Sequence, residues 1–199
     1  MKTVEIIGFK RANLSKSELN RLRMEGNIPC VIYGSGVNEA FTAPAIQFRD
    51  LVYTPEARFV TVNIEGKLYQ AIKQDVQFHP VNDMLMHVDF LIIDDKSPIK
   101  LNIPVKLKGT ASGVLKGGRM VQKLNHVKIF ALPKDMPEKI ELDVTDMEVG
   151  KSLRISDIPL KNFQILKTPA VPICTVEATR AVKEEATQAA AAVAATPSK

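Results

Sequence analysis

The chain has 199 residues, 45% hydrophobic and 25% charged, with 27 Lys+Arg against 22 Asp+Glu and a formal net charge of +5. That length supports one large or two small domains with real cores, and the composition excludes a fibrous or wholly disordered chain. The two cysteines, Cys30 and Cys174, each sit in an apolar run and belong to no C-x-x-C pair, so they read as buried small hydrophobes of a reducing compartment rather than zinc ligands.

The N-terminus lacks a signal-peptide pattern and no apolar run approaches the roughly 20 residues of a membrane-spanning helix, so a cytoplasmic protein is expected. Charge is unevenly placed. Residues 1–95 hold 10 cations and 12 anions, residues 96–178 hold 14 and 8, and residues 179–199 hold 3 and 2. Within the acidic first half, the segment from Lys10 to Arg23 places five cations (Lys10, Arg11, Lys16, Arg21 and Arg23) against one anion, Glu18. Such a patch fits an anionic partner met at one place, and fits equally a solvated helix face.

"TVEIIGF" opens as a strand. "LSKSELNRLRMEG" then predicts a helix: Ser15 caps it, Glu18 completes a capping box, Leu14 and Leu19 form a hydrophobic staple, and Gly26 ends it. Leu19 and Leu22 point to the core, while Lys16, Asn20 and Arg23 share one polar stripe with Arg21 beside it. Pro29 keeps the helix from resuming, and "CVIY" reads as a buried strand that delivers Tyr33 next to Gly34 and Gly36. Tyr33 is then either a rim residue over the core or a ring with one face open.

"EAFTAPAIQF" reads as a strand followed by a short helix around "FRDLVY". "RFVTVNI" and "LYQAIKQDVQF" flank "EGK" as a hairpin, and "MHVDFLII" closes the domain. Half a dozen short strands with one or two short helices predict a small β-barrel. After the polar break "DDKSPI" the pattern restarts with "KLNIPVKLKG", a loop "TASGVLKGGR", and strands "HVKIFAL", "KIELDVT" and "AVPICTVE". The expected fold class is therefore mainly β with short helices: a barrel over residues 1–93 and a β-rich domain over 97–178. The alanine-rich residues 179–199 are expected to be disordered.

Catalytic signatures are missing from the sequence. "GVLKGGR" lacks the Lys-Ser/Thr end of a phosphate-binding loop, "GSG" is a turn, and neither G-x-S-x-G nor H-E-x-x-H occurs. The one polar constellation in a strand context is "QDVQFHPVNDMLMHVDF", Gln74 to Phe90. His87 and Asp89 lie two apart on one face, so a neutral His87 can donate to Asp89 and have its tautomer fixed. Gln74 either aligns with Val76 or bends across a bulge. With no nucleophile or metal set beside these groups, neither an enzyme nor a bound cofactor or metal is expected. Recognition remains: cations for phosphates, tyrosine for a base or sugar, and Gln, His and Asp for base edges and 2′-hydroxyls. A carboxylate is repelled by phosphates, so Asp89 facing RNA accepts from an amino group or a 2′-hydroxyl.

At "RLRMEGNIPCVIYG" and "QDVQFHPVNDMLMHVDF" the chain resembles the bacterial large-subunit ribosomal protein twenty-five family. Its second half, including "GTASGVLKGGR", is similar to the long form called the general stress protein CTC family. The resemblance covers about residues 1–178. It implies a six-stranded barrel that binds 5S ribosomal RNA in the central protuberance, followed by a β-rich domain, with neighbouring large-subunit proteins and rRNA as further partners and no membrane or small-molecule substrate. Carried onto this sequence, the RNA contacts are Arg11, Lys16, Arg21, Arg23, Tyr33, Gln74, Gln77, His79, His87 and Asp89. The family usually has a glycine before the lysine and more arginines in the helix, where this chain has Ser15, Leu19 and Asn20. The competing reading is a protein-interaction or stress-assembly module whose basic second domain meets an acidic partner.

Overall fold

The computed structural model describes residues 2–13, 15–159 and 162–179. These divide into two compact units. The first takes the described residues of Met1–Ile103, Ile129–Glu138 and Asn162–Gln164, and the second takes the rest. The expected tail from residue 180 onward and the staple partner Leu14 lie outside the described residues.

In the first unit the chain runs β1 (Thr3–Lys10), α1 (Lys16–Met24), β2 (Asn27–Gly34), β3 (Val37–Pro44), a 3-10 turn (Ala45–Phe48), α2 (Arg49–Val52), β4 (Phe59–Ile64), β5 (Lys67–Phe78) and β6 (Leu85–Ile92). The six strands close in the order β1-β3-β2-β6-β5-β4, with β1–β4 and β2–β6 parallel and the other pairs antiparallel. Closure leaves no unpaired strand edge. Alternation fills the interior: along β4, Val60, Val62 and Ile64 are buried while Phe59, Thr61 and Asn63 are not. Phe41, Phe48 and Phe90 meet at the centre, with ring centroids 5.9 and 6.3 Å apart, each burial worth about 1.5–3 kcal/mol. Gly8 makes room for them, since a Cβ there would collide with the Phe41 ring.

The helix starts as its cap predicts, with the Ser15 hydroxyl accepting from the Glu18 N–H at 3.4 Å. The reciprocal half of the capping box does not form. Glu18's carboxylate instead takes the Arg21 guanidinium at 2.9 Å, because a charged donor one turn ahead outcompetes a neutral N–H behind. Gly26, at φ +79°, supplies the left-handed stop. Pro29 lies inside β2 rather than before it. It pairs with Thr42 of β3, and the parallel register with β6 begins only at Cys30↔Val88, so its missing N–H falls ahead of that ladder. The tip of the β4–β5 hairpin is Glu65-Gly66, both at positive φ as a two-residue turn requires.

Beyond the barrel come β7 (Ile99–Lys108), α3 (Ser112–Leu115), β8 (Arg119–Gln122), β9 (His126–Ala131), β10 (Ile140–Asp143), β11 (Ser152–Arg154), β12 (Gln164–Ile165) and β13 (Pro172–Glu177). They form a four-stranded sheet, β10-β7-β9-β12, and a three-stranded sheet, β11-β13-β8. The stretch expected as a loop, residues 110–119, contains the single turn α3. Strands β8, β11 and β12 span four residues or fewer, too few for a period-2 signal. Cys174 is buried here with Ala111, Val144, Met147 and Val176, and Cys30 in the barrel core. Both are free thiols, as their apolar settings predicted.

Candidate nucleic-acid interface

The outer face of β5, β6 and β2 is assembled by a bulge. Register shifts between Lys73 and Asp75, so Lys73 opposes Phe90 while Asp75 opposes Asp89, leaving Gln74 as the extra residue. Without that insertion every later residue of β5 would change face. With it, Asp75 and Gln77 point outward beside Asp89 and His87, their cross-strand partners. Below the bulge, Lys73 turns in and donates to the Leu51 carbonyl at 2.9 Å, the end of α2, and burial lowers its pKa.

On the other side of β6, Val31 opposes Asp89 and Ala40 opposes Val31; the Arg11 N–H then donates to the Ala40 carbonyl at 3.0 Å. Arg11, just past the end of β1, thus continues the row that Ala40, Val31, Asp89 and Asp75 form across β3, β2, β6 and β5. Arg11 Nη2 bonds the Asn13 carbonyl at 3.0 Å, while its Nε is buried without a partner. Tyr33, two residues on from Val31, is half-buried on the same face. Burial first, and then the Asp89 and Asp75 carboxylates, push its phenol above the ordinary tyrosine value. His87 Nδ1 and Asp89 Oδ1 are 2.6 Å apart, the pairing that their spacing predicted.

The helix lies beside this face. Arg23 Nε donates to the Met86 carbonyl of β6 at 3.3 Å and Arg23 Nη1 to Asn20 Oδ1 at 3.4 Å, tying α1 to the start of that strand. Lys16 and Asn20 are exposed on the same stripe. Arg21 is different: Glu18 at 2.9 Å and Glu25 at 3.5 Å hold its guanidinium from both sides. His79 sits in the β5–β6 turn, its Nδ1 accepting from the Val81 N–H at 3.3 Å and its backbone N–H donating to the Met84 carbonyl at 2.8 Å.

The structure therefore groups Tyr33, Gln77, His87 and Asp89 on adjoining strands, brings Arg11 into their row, and sets Lys16 and Arg23 alongside. Gln74 is exposed at the bulge, Arg21 is held by acids, and His79 is displaced to the hairpin end. Asp75 belongs to the face but was not singled out in the sequence. It stands next to Gln74 in the same motif, yet only the bulge reveals which way it points. Among the described residues no group of three or more His, Cys, Asp or Glu could hold a metal ion, and no helix is long and apolar enough to cross a membrane.

Two family models match the chain: "Ribosomal L25p family" over residues 6–90 and "Ribosomal protein TL5, C-terminal domain" over residues 98–180. The large ribosomal subunit protein bL25 of Cytophaga hutchinsonii is 48% identical over 190 residues, 96% of this chain and 99% of that protein. Its namesake in Amoebophilus asiaticus is 46% identical over 189 residues, 95% and 96% of the two chains, and that of Phocaeicola vulgatus 37% over 196 residues, 95% and 99%. With such identity sustained across almost the whole of both partners, and with both family models matched in order, the chain belongs to the bL25 family of large ribosomal subunit proteins in its long, two-domain form.

Proposed function

We propose that the chain is a cytoplasmic, non-catalytic component of the large ribosomal subunit that binds 5S rRNA in the central protuberance through its barrel, residues 1–93. The observation that carries this reading is the single outward face of β5, β6 and β2, where His87, Asp89, Gln77 and Tyr33 converge beside the Lys16–Arg23 stripe. Hydrogen-bonding groups occupy the middle and cations the side, the arrangement that reads base edges and 2′-hydroxyls while neutralising flanking phosphates. Arg11, Arg21, Gln74 and His79 extend that surface at its margins. The domain over residues 97–178 meets neighbouring rRNA or ribosomal proteins in this reading. An electrophoretic shift with 5S rRNA against tRNA of matched length tests it: selective retention of 5S rRNA is expected, and equal affinity for both would refute it.

A further inference from the structure

The β2–β3 hairpin turns through Ser35 and Gly36, both at positive φ, +47° and +78°. A two-residue hairpin turn demands that conformation, and glycine, asparagine or aspartate takes its first position at least cost. Serine there is held in a sparsely populated backbone state, which persists only where other contacts fix it. One such contact is present. Ser35 Oγ donates to Asp94 Oδ2 at 2.6 Å, across 59 residues of sequence.

That bond closes just past the last rung of the β2–β6 ladder. The ladder runs from Cys30↔Val88 to Tyr33↔Leu91, and Gly34 then lies so near β6 that a Cβ on it would come within 3.2 Å of Ile92. Tyr33 is thus the terminal rung, where a strand pair frays most easily. Its pair with Asn38 fixes it to β3, whereas its partners in the RNA surface, His87 and Asp89, stand on β6. Beyond the Tyr33–Leu91 rung, Ser35 and Asp94 continue the connection between those two strands. Asp94 itself lies outside the six strands, in the polar segment after β6, and beyond the residues 6–90 that match the L25p family model.

We propose that Ser35 and Asp94 are positioning residues for RNA binding: their hydrogen bond locks the tip of the β2–β3 hairpin to the end of β6 and so holds Tyr33 in place beside Asp89. The proposal rests on the RNA-binding reading and extends that site past the last strand of the barrel. The physical gain is pre-organisation, since a hairpin end fixed beforehand loses less freedom when the RNA arrives.

Ser35→Gly in the full chain separates this role from stability. Glycine takes a positive φ without strain, so the relieved strain offsets the lost hydrogen bond and the melting temperature should stay near that of the unmodified chain. Affinity for 5S rRNA should nevertheless fall about fivefold. Asp94→Ala should show the same loss, and Asp94→Asn, which keeps an acceptor oxygen, should recover most of it. In a Tyr33→Ala background Ser35→Gly should cost nothing further, because the residue that it positions is gone. Where the unmodified chain prefers 5S rRNA over tRNA, three results would overturn the proposal and leave the RNA reading standing: full 5S affinity of Ser35→Gly, an equal loss with and without Tyr33, or equal losses for Asp94→Asn and Asp94→Ala. No preference for 5S rRNA by the unmodified chain would overturn both.

Discussion

His87 Nδ1 donates to Asp89 Oδ1 at 2.6 Å, and the same Asp89 stands directly across β5–β6 from Asp75. Opposed carboxylates repel, so this strand pair is less favourable in the free protein than a neutral one. The histidine offsets part of that cost and leaves the carboxylate its remaining acceptor positions. An RNA that presents amino or hydroxyl donors would relieve the rest.

Asp89→Asn is therefore expected to weaken 5S rRNA binding selectively, by about 1–3 kcal/mol, because one oxygen becomes a donor facing a donor. Weak binding to unrelated RNA should stay the same or strengthen, since a negative charge is gone. His87→Ala should show part of the same loss. Titrations of each variant against 5S rRNA and tRNA decide it: tighter 5S binding by the Asn variant at an unchanged melting temperature would remove Asp89 from the reading surface.

The helix cations should not contribute equally. Lys16 is exposed on the stripe, whereas Arg21 is neutralised by Glu18 and Glu25. Lys16→Ala should make the slope of log affinity against log salt shallower by about one unit and Arg21→Ala by clearly less. Glu25→Gln should tighten RNA binding by loosening the hold on Arg21. Arg23→Ala should reduce the slope and lower the melting temperature as well, because it also unties α1 from Met86. Equal slope changes for Lys16→Ala and Arg21→Ala would show that the glutamates release Arg21 at no cost.

Tyr33 provides a pH test. Its phenol is raised chiefly by burial and next by Asp89 and Asp75, so Asp89→Asn should bring its titration down toward the ordinary value of 10.0. A phenol raised in the folded state adds stability that is fully present below its unfolded value and is lost as pH climbs through the folded one. Absorbance at alkaline pH, in a background with Tyr53 and Tyr69 changed to Phe, reads this directly. An unmoved titration would mean that Asp89 does not act on the ring.

The barrel should work alone. Its hydrogen bonding is complete within its own six strands, closed by the β1–β4 pair, and the β7 lysines Lys106 and Lys108 face Glu141 and Asp143 across the parallel β7–β10 pair rather than forming an unopposed basic stripe. A fragment ending at Asp95 should fold and bind 5S rRNA within about tenfold of the full chain, roughly 1.4 kcal/mol. A larger loss, measured on a fragment with a cooperative melt, would place part of the site beyond Asp95.

Much of this molecule was legible because it is written over a few residues at a time. Ser15 and Gly26 bound the helix, Glu65-Gly66 turns the hairpin, alternation marks β4, and a spacing of two puts His87 beside Asp89. Such features depend on local sterics and periodicity, which the sequence determines by itself. Tertiary structure decided what depends on pairing across distance. Which strand neighbours which, the bulge at Gln74 that turns Asp75 toward Asp89, and the row joining Arg11 to that pair all follow from register around a closed barrel. Competition decided others: Glu18 bonds Arg21 instead of closing its capping box, and Arg23 bonds a carbonyl 63 residues away.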